Sequence, residues 1–146
     1  MAIIGGAGNP VGGSFTGPAE ALEYVGDHCY AYSGAVSVGA VQNTEYTMLN
    51  FTTSGAGYIR AEIQFAPTDA ESSNDFKTVI KINDSLVWGE LNQETFSRYH
   101  DLKMPAVLMI APYSTVNVAM ANVTDSNAIN WICALTGRVY RDRPRD

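Results

Sequence analysis

The sequence predicts an all-β fold, an antiparallel β-sandwich that is jelly-roll-like and has about eight strands. From Tyr30 onward, short apolar and β-branched runs alternate with turn-forming residues, and no stretch keeps the period of a long helix. Eight strands favour a jelly roll over the seven-stranded immunoglobulin sandwich, whose Cys–Trp–Cys spacing is absent. A chain of 146 residues fits one domain that needs no disulfide or metal.

Residues 1–20 are predicted to form an extended N-terminal arm. Glycine and proline are too dense in this segment for a helix or a central strand. Four apolar residues distinguish it from a plain linker, and we assign partner binding to them: Ile3, Ile4, Val11 and Phe15. The alternative is an unstructured terminus.

The sandwich domain is predicted to span residues 21–140, followed by a charged C-terminal tail at 141–146. Ala19 to Val25 is compatible with one short helical turn before the sheet begins. The strands are predicted at Cys29–Val38, Glu45–Thr53, Tyr58–Ala66, Phe76–Ile82, Leu86–Leu91, Ala106–Ala111, Val116–Ala121 and Asn130–Tyr140.

Three local patterns support these assignments. The run that begins at Tyr58 alternates, with apolar side chains on one face and Arg60, Glu62 and Gln64 on the other, as in a half-buried strand. Asn83-Asp84 predicts a tight hairpin. The residues from Pro112 to Thr115 predict a tight corner between two strands.

The charge distribution argues against nucleic-acid binding. The net charge is −6, but residues 1–137 hold five basic and thirteen acidic residues, a charge of −8, while 138–146 hold four and two, a charge of +2. Residues 1–137, which we call the acidic body, therefore repel the phosphate backbone of a nucleic acid. We assign partner binding to two arginines of the basic end, Arg141 and Arg143.

Cys29 and Cys133 lie far apart in apolar surroundings. They are interpreted as buried free cysteines, with a disulfide between the first and last strands as the open alternative. No secretory signal and no apolar run long enough to span a membrane is present, so no membrane association is expected. The sequons at Asn50, Asn83 and Asn122 are expected to be unmodified.

The sequence offers no convincing catalytic or metal-binding constellation, and neither catalysis nor a cofactor is expected. The two histidines, His28 and His100, share no ligand motif. An acidic loop at Asp69, Glu71 and Asp75 lacks the EF-hand pattern and is interpreted as solvated. Other carboxylates, such as Glu90, Glu94 and Asp101, have no spacing that defines a glycosidase pair.

The layout resembles the jelly-roll head decoration or cement proteins of tailed bacteriophages. The resemblance covers most of the chain and is one of pattern: the Gly-rich arm 1–18, the hairpin Val79–Val87, the corner Pro105–Val118 and the closing strand ending at Leu135–Tyr140. No single motif is diagnostic.

The resemblance implies a non-enzymatic virion structural protein that cements the major capsid protein or other virion proteins. It also implies a homotrimer on the capsid exterior, made in the host cytoplasm. The acidic body fits the outside of the shell better than the genome-facing side. A carbohydrate-binding or receptor-binding module of a tail or baseplate is the main alternative. A cupin-type enzyme would need a cluster of histidines, and only His28 and His100 are available.

Overall fold

The structure is a computed structural model that describes Phe15 and residues 17–68, 75–92 and 105–141. These residues form ten strands and no helix, so no helix in these ranges is long and apolar enough to cross a membrane. The strands are β1 (Glu23–Val25), β2 (His28–Tyr32), β3 (Val36–Val38), β4 (Tyr46–Thr52), β5 (Tyr58–Pro67), β6 (Phe76–Ile82), β7 (Ser85–Asn92), β8 (Ala106–Ile110), β9 (Thr115–Asn122) and β10 (Ile129–Tyr140).

Two antiparallel sheets pack face to face. The first sheet has the order β1-β2-β10-β5-β8, with β3 also paired to β10, and the second has the order β4-β9-β6-β7. If β1 is set aside and β2 and β3 are counted as one interrupted strand, eight strands remain. Numbered 1 to 8 along the chain, these strands have the order 1-8-3-6 in the first sheet (β2/β3, β10, β5, β8) and 2-7-4-5 in the second (β4, β9, β6, β7). This is the nested order of a jelly roll, so the predicted fold class is confirmed.

The core lies between the sheets and is built by period-2 alternation. In β5 the side chains of Ile59, Ala61 and Ile63 are fully buried, whereas Arg60 and Gln64 are exposed, as the alternation predicts. Large side chains from both sheets fill the interior: Met48, Leu49, Ile59, Ile63, Ile80, Ile110, Met120 and Leu135. Each such side chain contributes roughly 1.5–3 kcal/mol by leaving water.

The predicted first strand is interrupted in its middle. Along β10, Tyr32 pairs with Ala134 whereas Val36 pairs with Trp131, a register shift of one residue. Ser33 bridges the irregularity, because its hydroxyl accepts a hydrogen bond from the amide of Cys133 at 2.8 Å and its own amide donates to the Cys133 carbonyl at 2.9 Å. A β-bulge therefore divides one predicted strand into β2 and β3.

The short helical turn considered before the sheet is wrong. Ala19 is fully buried and forms an isolated parallel bridge with Leu49 in β4, and Glu23–Val25 form β1 against β2. The amide of Ala19 donates to the carbonyl of Met48 at 3.0 Å. Hydrogen bonds to the edges of existing strands override the local helical preference of these residues.

The tight hairpin between β6 and β7 is confirmed. Asn83 and Asp84 have φ values of 52° and 66°, and positive φ at both central positions is typical of a type I′ turn. The side-chain oxygen of Asn83 accepts a hydrogen bond from the amide of Thr115 at 2.9 Å. The hairpin is thereby tied to the start of β9.

The predicted corner between β8 and β9 is also confirmed, and it carries the chain from the first sheet to the second. Buried Thr53 fixes it: its hydroxyl donates to the Ala111 carbonyl at 2.9 Å and accepts from the Ser114 amide at 2.8 Å. Tyr113 lies at the tip with φ 59°.

Candidate protein-binding face

Of the six residues assigned to partner binding from the sequence, four lie outside the described residues: Ile3, Ile4, Val11 and Arg143. Phe15 lies on the face of the first sheet that points away from the second sheet, which we call the outer face. Its ring packs edge-on against Tyr32, with centroids 5.7 Å apart, and the side chain remains 40% exposed. Phe15 therefore packs on the surface of the first sheet and lies outside the core between the sheets.

Arg141 contacts the turn between β1 and β2. Its Nη2 donates to the carbonyl of Gly26 at 3.1 Å, and its Nε lies 3.4 Å from a carboxylate oxygen of Asp27. Both charged side chains are about half exposed, so this ion pair adds little stability. These intramolecular contacts hold the Arg141 side chain against the β1–β2 turn, beside the outer face.

The strand register brings together two arginines and two tyrosines on the outer face. Arg60 in β5 lies directly opposite Arg138 in β10, and Tyr58 lies directly opposite Tyr140. The row of arginines continues to Met109 on β8 and to His28 on β2. We call this surface the Arg–Tyr face and define it by His28, Tyr58, Arg60, Met109, Arg138 and Tyr140.

Alternation in the strands explains why these side chains reach the surface. Arg60 lies between fully buried Ile59 and Ala61, and Arg138 precedes buried Val139. A strand that turns one set of side chains inward must turn its neighbours outward. The arginines and tyrosines of the Arg–Tyr face therefore lie on two central, paired strands of the first sheet, β5 and β10.

The electrostatics of the row are unusual for a chain with a net charge of −6. Side chains directly opposite in an antiparallel pair have Cβ atoms about 5 Å apart, and like charges there are destabilising. Within the part of the chain that the structure describes, Arg60 forms one ion pair, with the exposed carboxylate of Glu62 at 3.4 Å. Arg138 lies over the ring of Tyr140, 5.6 Å from its centroid, and forms no ion pair with any residue that the structure describes.

The composition of the face matches that of protein interfaces. Tyrosine, methionine and arginine are the residue types enriched at interface centres, and tyrosine and arginine dominate binding hot spots. Tyr58, Tyr140 and Met109 are 53%, 50% and 58% exposed, respectively. Exposed Val107 extends the apolar part along β8. All six residues that define this face lie on paired strands and none lies in a loop.

The cysteines are free and buried, so the disulfide alternative is wrong. Cys29 lies opposite Gly137, whereas Cys133 lies opposite Ser33. Four residues along β10 separate these positions by about 13 Å, too far for a disulfide. Burial raises the pKa of the Cys29 thiol to about 11, and burial also raises the pKa of the Cys133 thiol. Both groups are protonated thiols at neutral pH, which makes them poor nucleophiles.

We expect the free energy of unfolding to fall as the pH rises above about 9. The unfolded chain releases these thiol protons near pH 9, whereas the folded chain retains them because the folded pKa values are raised. At about pH 10, one pH unit above the unfolded pKa, each thiol should therefore cost about 1 kcal/mol of stability. Urea unfolding at about pH 8 and pH 10 measures the fall. The double variant C29A/C133A is the control and should show a smaller fall; an equal fall would contradict the assignment to the thiols.

Other candidate chemistry gains no support from the geometry. His28 faces outward beside Arg138, so it does not line the interior of the sandwich, and His100 lies outside the described residues. No group of three potential metal ligands occurs within the described ranges. Several acidic residues considered above also lie outside them: Asp69, Glu71, Glu94 and Asp101.

Comparison with known proteins does not assign the chain to a family: no protein-family model matches it, and no curated protein does either.

Proposed function

We propose that this chain is a non-enzymatic virion structural protein that binds neighbouring coat proteins through the Arg–Tyr face. The observation that carries the proposal is the pairing of two exposed tyrosines and two exposed arginines in register on a jelly-roll sheet. Jelly rolls are recurrent in viral capsids and in lectins. The paired strands fix the backbone of these residues, so binding would order their side chains but no loop.

The mode of attachment follows from the shape and the charge of the molecule. A β-sandwich that binds through its Arg–Tyr face can cover the boundary between two shell subunits without changing its own fold. The acidic body favours the shell exterior, away from the packaged genome. We further propose a homotrimer, which would present three such faces around one axis. Light scattering coupled to size exclusion tests this oligomeric state, and a strict monomer would contradict it.

Cosedimentation with assembled shells tests the attachment. The chain is coexpressed with the major capsid protein encoded in the same genome, and the shells are pelleted. We expect the chain in the pellet, and we expect Y58S/Y140S to weaken its binding about thirtyfold, as the loss of about 2 kcal/mol at a hot spot would. The matched control is L86S/L91S, which changes two exposed apolar residues of β7 in the second sheet. A chain that stays in the supernatant of well-formed shells would overturn the proposal.

Carbohydrate or receptor binding is the second candidate, and the tyrosine pair favours it. Tyr58 and Tyr140 are adjacent and half exposed, and the aromatic faces of such rings can stack on a sugar while their hydroxyls hydrogen-bond to it. A glycan array separates the two functions. Selective glycan binding that Y58S/Y140S abolishes would favour this candidate over capsid attachment.

A further inference from the structure

We infer that the partner of the Arg–Tyr face is a protein surface that presents carboxylates to Arg60 and Arg138 together. This inference rests on the proposed binding role of the same face, and it adds the chemistry of the partner. It is carried by the direct opposition of the two arginines in register and by their surroundings.

The spacing of the two arginines suits a shared anion. Opposite residues of an antiparallel pair have Cβ atoms about 5 Å apart, so the two guanidinium groups can converge on one carboxylate or on two adjacent ones. A guanidinium presents a planar set of donors that matches the two oxygens of a carboxylate. The paired strands therefore bring both guanidinium groups within reach of one aspartate or glutamate side chain, and binding would turn Arg60 away from Glu62 and Arg138 away from Tyr140.

The row itself supplies little negative charge to balance the pair. The row continues to Met109 on β8, to His28 on β2 and to Val25 on β1, and none of these residues is acidic. Glu62 belongs to the next row and contacts Arg60 through an exposed pair, which is weak. Of the other carboxylates that the structure describes near this end, Asp27 contacts Arg141, and Glu23 lies in the row of Glu62. An incoming carboxylate would relieve the repulsion between Arg60 and Arg138.

The same surroundings favour a protein over a nucleic acid. A chain with a net charge of −6 repels a polyphosphate at long range, whereas two arginines can still pair with local carboxylates. The tyrosines and Met109 offer apolar contact area around the arginines. Acidic side chains set in a partly apolar protein surface complement this arrangement of charge and apolar area.

A labelled acidic peptide tests the chemistry without the unknown partner. Fluorescence polarisation follows binding of a fluorescein-labelled decapeptide, in which two adjacent glutamates are flanked by leucine and serine residues, to the full chain. We expect R60Q/R138Q to weaken binding about tenfold or more. The matched control K77Q/K81Q removes two positive charges from the second sheet and should change binding less than about twofold. No binding by the unaltered chain, or equal weakening by both double variants, would overturn the inference.

Two further readouts separate the alternatives. Tighter binding of a single-stranded oligothymidylate than of the glutamate peptide would overturn the inference in favour of nucleic acid. The thermal midpoint of R60Q/R138Q should be unchanged or higher than that of the unaltered chain, because the variant relieves the repulsion. A sharply lower midpoint would assign the arginines to folding and overturn the inference. Peptide binding that depends on the arginines, in a chain that fails to cosediment with shells, would remove the virion role alone.

Discussion

Replacement of Asn122 with alanine is expected to lower the free energy of unfolding by about 3 kcal/mol or more. Asn122 ends β9 and is fully buried. Its amide nitrogen donates to the carbonyl of Asn127 at 2.8 Å and to a carboxylate oxygen of Asp125 at 3.1 Å. Its side-chain oxygen accepts from the amides of Thr124 at 2.9 Å and Asp125 at 3.2 Å. Alanine would leave several part-buried donors and acceptors without hydrogen-bond partners, and each such loss should lower the free energy of unfolding by about 1–3 kcal/mol.

The Asn122 side chain also organises the loops around it. The Asn122 carbonyl accepts from the amide of Asn43 at 2.8 Å, and the Gln42 side chain donates to the carbonyl of Thr124 at 3.1 Å. Gly39 lies so close that an added Cβ would be 2.7 Å from the Cβ of Asn122, and its φ is 108°. The loop before β10 and the loop before β4 are therefore packed as one unit, and loss of the Asn122 side chain should loosen both.

Urea unfolding of matched asparagine variants measures this effect. N50A is the control, because Asn50 lies exposed on β4 and its loss should change stability by less than about 0.5 kcal/mol. N122D keeps the accepting oxygen but replaces the donor with a charge beside Asp125, so it should also destabilise. A cost below about 1 kcal/mol for N122A would contradict the role of this side chain. The burial of Asn122 also makes its sequon unsuitable for glycosylation.

Much of the fold could be predicted because its signals are local. The alternation in β5 and the two residues of the β6–β7 turn act within a few positions of the sequence. By contrast, Ala19 and β1 acquire their structure only by pairing with Leu49 and β2, which the local sequence does not encode. The bulge at Ser33 likewise depends on the partner strand β10.

The Arg–Tyr face was missed for the same physical reason. The alternation in the sequence places Arg60 on the exposed face of its strand. Arg138 was grouped with the basic C-terminal end, because its position in a paired strand is invisible without the register. Arg60 and Arg138 lie 78 positions apart and become neighbours only when β5 pairs with β10. The available signal was an arginine at an outward position in each of two strands, and it cannot specify which strands pair.

Substitutions of Trp131 are expected to distinguish two contributions to the free energy of unfolding: the stabilisation by its ring and the destabilisation by its unpaired N–H group. Trp131 is 7% exposed and contacts Phe76 of the other sheet, with ring centroids 5.3 Å apart. Its Nε1 is buried and has no hydrogen-bond partner, the one such side-chain atom found among the described residues. In the unfolded chain that N–H binds water, so folding costs about 1–3 kcal/mol at this atom.

Two substitutions at Trp131 should therefore differ strongly. W131A removes the ring and leaves a cavity between the sheets, which should cost about 3–5 kcal/mol. W131F loses part of the ring but also removes the unpaired donor, so the two effects offset and the cost should be about 1 kcal/mol or less. A double-mutant cycle of W131A with F76A should give a ring–ring coupling of about 1 kcal/mol. Urea unfolding followed by circular dichroism measures the unaltered chain and all four variants, and equal costs for W131F and W131A would show that the N–H group carries no penalty.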